Sequence, residues 1–238
     1  MHIRSLPQGE VFGVLDIETR PDPLALTLMR QRDGARAPAA LHQLTAASLL
    51  VASMDADGAW SDMQLVSLCE PEAGERRMLI EIDEILAELF RDGGTCVTFN
   101  GMSHDLPTLR RRAARHHLFH LEGINPNRPI QHIDLMRRCT RGWRDDWPSL
   151  KAACAGLGIP VNHMLADPRS PGVPATQRKC ETDVVCTFLL LLHELAIAYR
   201  DHAVLERGWK ALAELLNPRS HPAHLAQFAH AIPTFARP

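Results

Sequence analysis

Asp16 and Glu18 stand one residue apart at the end of an apolar run, Val11-Phe12-Gly13-Val14-Leu15-Asp16-Ile17-Glu18-Thr19-Arg20. Up to Ile17 the run is short, apolar and β-branched at Val11, Val14 and Ile17. Arg20-Pro21-Asp22-Pro23 stops it, which predicts a buried strand. Side chains alternate across a strand, so both carboxylates point to one face at its C-terminal end. Two anions held together beside a core repel each other and lose hydration, which is costly or forces their pKa values up. A divalent cation removes that difficulty, and hard Mg²⁺ or Mn²⁺ prefers carboxylate oxygen. A strand tip emerging into water would carry the same spacing, so the other acids must decide.

Three of them sit at the ends of predicted elements or on a long helix. Asp105 follows a second buried strand, in Asn100-Gly101-Met102-Ser103-His104-Asp105-Leu106-Pro107. Asp183 lies one helical turn after Lys179, in Lys179-Cys180-Glu181-Thr182-Asp183-Val184-Val185. Asp134 ends a short strand in Gln131-His132-Ile133-Asp134-Leu135, where a structural role is expected. Singly each has a commoner reading: an Asp before a helix is usually a cap, and one within a helix a solvated charge.

The elements that position these acids follow from the pattern of apolar residues. Strands are expected at 46–54 and 60–68, joined by the turn Asp55-Ala56-Asp57-Gly58, so the first three strands form an antiparallel meander. A short helix over 24–32 precedes them. An amphipathic helix over 75–91 carries Met78, Ile82, Ile85, Leu86 and Leu89 on one stripe and stops at Asp92-Gly93-Gly94. A strand at 95–99, a helix at 106–116 bearing Arg110, Arg111, Arg112 and Arg115, and a strand at 129–135 come next. A basic loop over 137–144, a helix opening at Trp147-Pro148-Ser149-Leu150 and a Pro-rich mobile loop over 163–174 lead to a long helix at 175–199. One more helix ends near Leu216, and a Pro/His-rich tail follows. A meander followed by helix–strand–helix–strand predicts a three-layer α/β fold, with its site at the C-terminal ends of the parallel strands.

Composition narrows the class without naming it. With 23% charged and 45% hydrophobic residues in 238, the chain reads as a soluble globular protein. No uninterrupted apolar run reaches the ~18 residues of a membrane span, and Met1–Pro7 lacks the apolar core of a secretory signal. The cysteines at 69, 96, 139, 154, 180 and 186 form no C-x-x-C pair, pointing to reduced thiols in a cytoplasm rather than zinc or disulfides. A net charge of −2 hides a polarity: residues 55–92 hold eleven acids against Arg76, Arg77 and Arg91, whereas residues 105–144 hold nine arginines against Asp105, Glu122 and Asp134. That basic region suits phosphate.

In this order the motifs Leu15-Asp16-Ile17-Glu18-Thr19, Val97-Thr98-Phe99-Asn100-Gly101 with Asp105-Leu106-Pro107, His132-Ile133-Asp134-Leu135-Met136, Ser149-Leu150 with Leu157-Gly158-Ile159-Pro160, and Cys180-Glu181-Thr182-Asp183-Val184 carry a family likeness. The chain resembles the DEDD 3′–5′ exonucleases of the ribonuclease H-like superfamily, and among them stand-alone bacterial proteins similar to the proofreading domain of family B DNA polymerases. The likeness runs over roughly residues 10–200. It implies a ribonuclease H-like α/β/α fold around a five-stranded mixed sheet. Residues 1–200 are then the exonuclease-like domain, and 201–238 a C-terminal helix and tail that form no independent domain.

The resemblance also implies a two-metal phosphodiesterase. Asp16, Glu18, Asp105 and Asp183 would hold two Mg²⁺ or Mn²⁺ ions, Asp16 bridging them, Glu18 and Asp183 at the ion that activates water, Asp105 at the other. Thr19 and Asn100 would contact the terminal nucleotide, and Arg110 and Arg111 the substrate backbone. The expected partner is nucleic acid, single-stranded DNA with a free 3′ end before RNA, and no membrane. Lys179 and Arg178 depart from the pattern, since they stand where these enzymes carry a Tyr or a His that orients the attacking water. His104 replaces an aromatic residue. Lys179 shares a helix face with Asp183 and is the candidate to orient water or contact phosphate in place of that Tyr. Two ions nearby would repel its ammonium, lowering its pKa or pushing it toward Glu181 or a phosphate. The alternative function is a weakened or inactive exonuclease-fold module that binds nucleic acid or protein.

His116, His117 and His120 are expected at the surface, and the tail histidines His221, His224 and His230 have no acidic partner in the pattern. Trp143 and Trp147 are as compatible with core packing as with base stacking.

Overall fold

The computed structural model describes residues 9–30, 37–127, 131–139, 147–160, 173–217 and 222–230. β1 (Glu10–Pro21), β2 (His42–Met54) and β3 (Trp60–Cys69) make the antiparallel meander, with α1 (Pro23–Leu28) between the first two. α2 (Glu70–Ala73) and α3 (Glu75–Arg91) lead to β4 (Thr95–Thr98), then α4 (Asp105–Arg115) to β5 (Gln131–Asp134). α5 (Leu135–Arg138), α6 (Leu150–Gly156), α7 (Ala175–Tyr199), α8 (His202–Leu215) and α9 (Ala223–His230) complete the described chain. The sheet order is β3-β2-β1-β4-β5, with β4 parallel to both β1 and β5. This is the mixed five-stranded ribonuclease H-like arrangement expected from the motifs.

β1 lies at the centre because both its faces are apolar. Phe12 and Val14 join a core with Phe188, Leu189 and Leu192 of α7 and Trp209 of α8, while Leu15 and Ile17 pack on Met78, Ile82 and Leu86 of α3 and Leu109 of α4. The period of two therefore sends Asp16 and Glu18 to the α7 face. By length and composition α7 could cross a membrane, but its apolar residues are mostly buried against the sheet and α8. Burial of each such side chain contributes about 1.5–3 kcal/mol, enough to fix the helix carrying Asp183 on the sheet.

Several boundaries differ from the sequence reading for local reasons. β1 and β2 run on past Ile17 and before Ala46, because a register shift between Glu18 and Thr19 leaves Thr45 unpaired and lets pairing resume at Thr19 and Leu44. The Thr45 hydroxyl donates to the Glu18 carbonyl at 2.9 Å, so this bulge braces the strand beside the acids. α1 is shorter than expected. It starts on Asp22, whose Oδ1 accepts from Leu24 N (2.9 Å) and Ala25 N (3.3 Å), and Arg30 follows it at φ +53°. α2, α5 and α9 are too short or too polar to have shown a period. The loop over 163–172, Trp143 and most of the basic loop lie outside the described residues.

Candidate active site

The C-terminal ends of β1 and β4 and the first half of α7 converge. Asp16, Glu18 and Asp183 bring one carboxylate oxygen each to within 4.8 Å of one another. Asp105 lies outside that trio but close enough that its charge is the largest of the neighbouring carboxylates acting on Asp16. It is buried at the start of α4, with His104 Nδ1 3.0 Å from its Oδ1.

Burial holds the Asp16 carboxyl well above its ordinary range, and Asp105, Asp183 and Glu18 push the same way. Burial likewise raises Glu18, Asp105 and Asp183 against the opposing pull of Lys179 and, at Asp105, of His104. The buried oxygen Asp16 Oδ2 finds no hydrogen-bond partner among the described residues. A buried, unpaired carboxylate oxygen among three further acids is a poor structural feature and a good cation ligand. Hard divalent ions fit this all-oxygen donor set; zinc sites favour N and S.

Lys179 lies among these acids. Its Nζ donates to Glu18 Oε1, and to Asp183 Oδ2 at 3.0 Å. Burial works against the ammonium, but Asp183 and Glu18 outweigh it and hold its pKa above the usual lysine range. Glu181 is no partner for it. That carboxylate faces inward, 2.5 Å from His224 Nε2 of α9 and 2.9 Å from Gln177 Nε2. His224 thus does have an acidic partner, contrary to the sequence reading, because α9 folds back on α7 from over forty residues away.

The turn after β4 delivers Asp105. Asp134 is buried and accepts from Asn100 N (2.9 Å) and Met102 N (3.2 Å), fixing Asn100 at φ +70°. A Cβ on Gly101 would lie 2.3–2.5 Å from the Thr98 side chain, so only glycine passes there. Asp134→Ala is expected to leave two backbone donors unmet and destabilise the fold by about 2–3 kcal/mol, with Asp134→Asn milder; urea denaturation of both variants measures this.

The remaining candidates are distributed. Thr19 Oγ1 is 3.0 Å from His42 Nδ1, and Asn100 Oδ1 is buried without a partner among the described residues. Arg111 Nη2 donates to Thr108 Oγ1 (2.9 Å), and its charge opposes, without overcoming, the bond to Asp105 that raises the His104 pKa. Arg110 is on another face, its Nε bonded to the Ile124 carbonyl at 2.8 Å. His116 is tied to Glu75 Oε2 at 2.7 Å, and Trp147 is partly exposed. Sequence reasoning did not find the His104–Asp105 contact, for which adjacency was the available signal. Nor did it find the Cys180 thiol, which donates to the Asp16 carbonyl at 3.2 Å. A cleft of about 650 Å³ bordered by Glu10, Thr95, Gln131 and Tyr199 opens at the opposite, N-terminal ends of the parallel strands and is separate from the acids.

Comparisons with known proteins bear on the family. Among solved structures, the family B DNA polymerase of the hyperthermophilic archaeon Pyrobaculum calidifontis matches with a TM-score of 0.50 at 16% identity, over 92% of this chain and 27% of the polymerase. A product-bound exonuclease I matches at 0.43 and 12%, over 84% of this chain and 46% of its own. A zinc-bound E. coli ExoI–ssDNA complex matches at 0.42 and 14%, over 89% and 44%. The chain therefore spans less than half the length of each. No curated protein matches it. A family model described as RNase_H superfamily covers residues 46–167, more than half of the chain. That coverage, together with the observed sheet order, makes the protein a member of the RNase_H superfamily.

Proposed function

We propose that the protein is a metal-dependent 3′–5′ exonuclease acting on single-stranded DNA. The observation that carries this reading is the carboxylate trio Asp16, Glu18 and Asp183, with Asp105 beside it and a buried oxygen of Asp16 unpaired. These four residues would hold Mg²⁺ or Mn²⁺, which when bound lowers the pKa of water and offsets charge on a phosphate. Thr19 and Asn100 would seat the terminal nucleotide, and Arg111 would meet the strand beside His104. Arg110 holds the Ile124 carbonyl through Nε and would meet a phosphate through its other guanidinium nitrogens.

In the reaction, a water oxygen bonds to the terminal phosphorus and the bond from phosphorus to the preceding nucleotide's 3′ oxygen breaks. One water proton ends on that 3′ oxygen, and a nucleoside 5′-monophosphate leaves. Lys179 Nζ is the chain's own donor at the position where a Tyr would orient the water.

The Lys179 contacts also favour a second reading, a module that binds nucleic acid without cutting it, because they engage two of the acids with a built-in cation. Incubation of an oligodeoxynucleotide with the protein in Mn²⁺ or in EDTA separates the two. Nucleoside 5′-monophosphates in Mn²⁺ alone are expected; retention of intact DNA would support the binding module instead.

A further inference from the structure

We infer that Lys179 is a fixed cation standing in for one of two metal ions, so that the site takes up one divalent ion where its four acids could hold two. The inference rests on the metal-site reading proposed above and concerns how many ions that site accepts. Its basis is the division of the acids between partners. Glu18 and Asp183 come from different elements, β1 and α7, yet one ammonium bridges them, through Glu18 Oε1 and Asp183 Oδ2. Asp16 and Asp105 have no permanent cation bonded to them among the described residues: Asp16 Oδ2 is buried without a partner, and Asp105 Oδ1 meets His104 Nδ1 at 3.0 Å, a ring that is a cation only when protonated.

The bridge is built by the fold. Lys179 and Asp183 are four residues apart on α7, so their side chains share one face, and β1 places Glu18 against that same face. The Lys179 side chain remains 57% exposed while those of its partners are 18% and 14% exposed, so the charge is delivered from the solvent side onto two sheltered carboxylates. A divalent ion seeking those oxygens must displace the ammonium or sit beside it, and like charges at such range repel strongly in a sheltered site. An ion bound by Asp16 and Asp105 meets only the His104 ring, which can give up its proton and leave a neutral neighbour. An ammonium also supplies three donors, so the same group can face a phosphate or water as well as the acids.

Calorimetric titration with Mn²⁺ tests this on the whole protein, without DNA. Wild type is expected to bind one ion per chain. Lys179→Met removes the charge while keeping most of the stem and is expected to bind two, the added ion competing with nothing. Lys179→Arg keeps the charge and is expected to remain at one, which a merely structural role for the stem would not produce. Two ions on wild type, or one on Lys179→Met, would overturn the inference while leaving the metal site standing. No Mn²⁺ on any of the three would overturn both.

Discussion

Asp16→Asn is expected to abolish nucleotide release, by at least about 10³-fold, while making the ion-free protein more stable. The two effects have one cause. Asp16 is partly buried, its Oδ2 is sheltered without a partner among the described residues, and desolvation together with three neighbouring acids raises its pKa. A folded-state pKa above the unfolded one means that folding favours the protonated carboxyl. That favourable contribution is complete below the ordinary Asp range and is lost as pH rises through the folded value. At neutral pH the wild type therefore carries a cost that the neutral amide does not. In EDTA the variant should melt higher by roughly 2–4 °C for each kcal/mol relieved, and the advantage should shrink as pH falls toward the carboxylate range. In Mn²⁺ the order should narrow or reverse, because only the wild type gains stability from a bound ion. Melting curves in EDTA and in Mn²⁺ at two pH values measure all of this. A variant that melts lower than wild type in EDTA would mean that Asp16 is a structural carboxylate.

The largest loss of stability is expected from Arg112→Ala. Arg112 is buried, and its guanidinium reaches Glu75 through Nε and Nη2, both at 2.6 Å, and Asp22 through Nη1 at 2.8 Å. Glu75 also accepts from Leu44 N at 2.7 Å and meets His116. One side chain thus ties α4, which begins with Asp105, to the start of α3, to β2 and to the end of β1. Burial alone would raise both carboxyls, but the bonds from Arg112, with those from His116 and Leu44 to Glu75 and from Leu24 and Ala25 to Asp22, outweigh it and hold both below their ordinary values. Removing the cation strands a buried and a largely buried anion, a change that costs about 3–5 kcal/mol and roughly 6–20 °C in Tm. The sign with pH is opposite to that for Asp16. A depressed folded pKa stabilises above the unfolded value and the benefit disappears as pH falls, so the gap between wild type and Arg112→Ala should close on acidification. Urea denaturation at pH 7 and near pH 4 measures both the size and the sign.

Much of this architecture was legible because it rests on local pattern. The apolar run of β1, the Asp55–Gly58 turn and the stripe of α3 each declare a period or a stop, and the order of the acidic motifs suggested how the elements assemble. What the pattern could not show depends on contacts between distant segments. Arg112 looked like one of four arginines on a basic helix. Its burial follows from Glu75 and Asp22, which lie 37 and 90 residues away. His224 looked unpartnered because Glu181 is reached only after α9 folds back. Lys179 was legible as a departure, but its grip on Glu18 needed the placement of α7 against β1. The bulge at Thr45, a single unpaired residue, leaves no mark in hydropathy.

The polarity and chemistry of cutting test the central claim most directly. Single-stranded DNA labelled at its 3′ end, and the same strand labelled at its 5′ end, are incubated with the protein in Mn²⁺. The account predicts that the 3′ label is released at once as a mononucleotide, while the 5′-labelled strand shortens stepwise into a descending ladder, and that EDTA stops both. Immediate release of the 5′ label, internal fragments from either strand, or shortening that survives EDTA would contradict it.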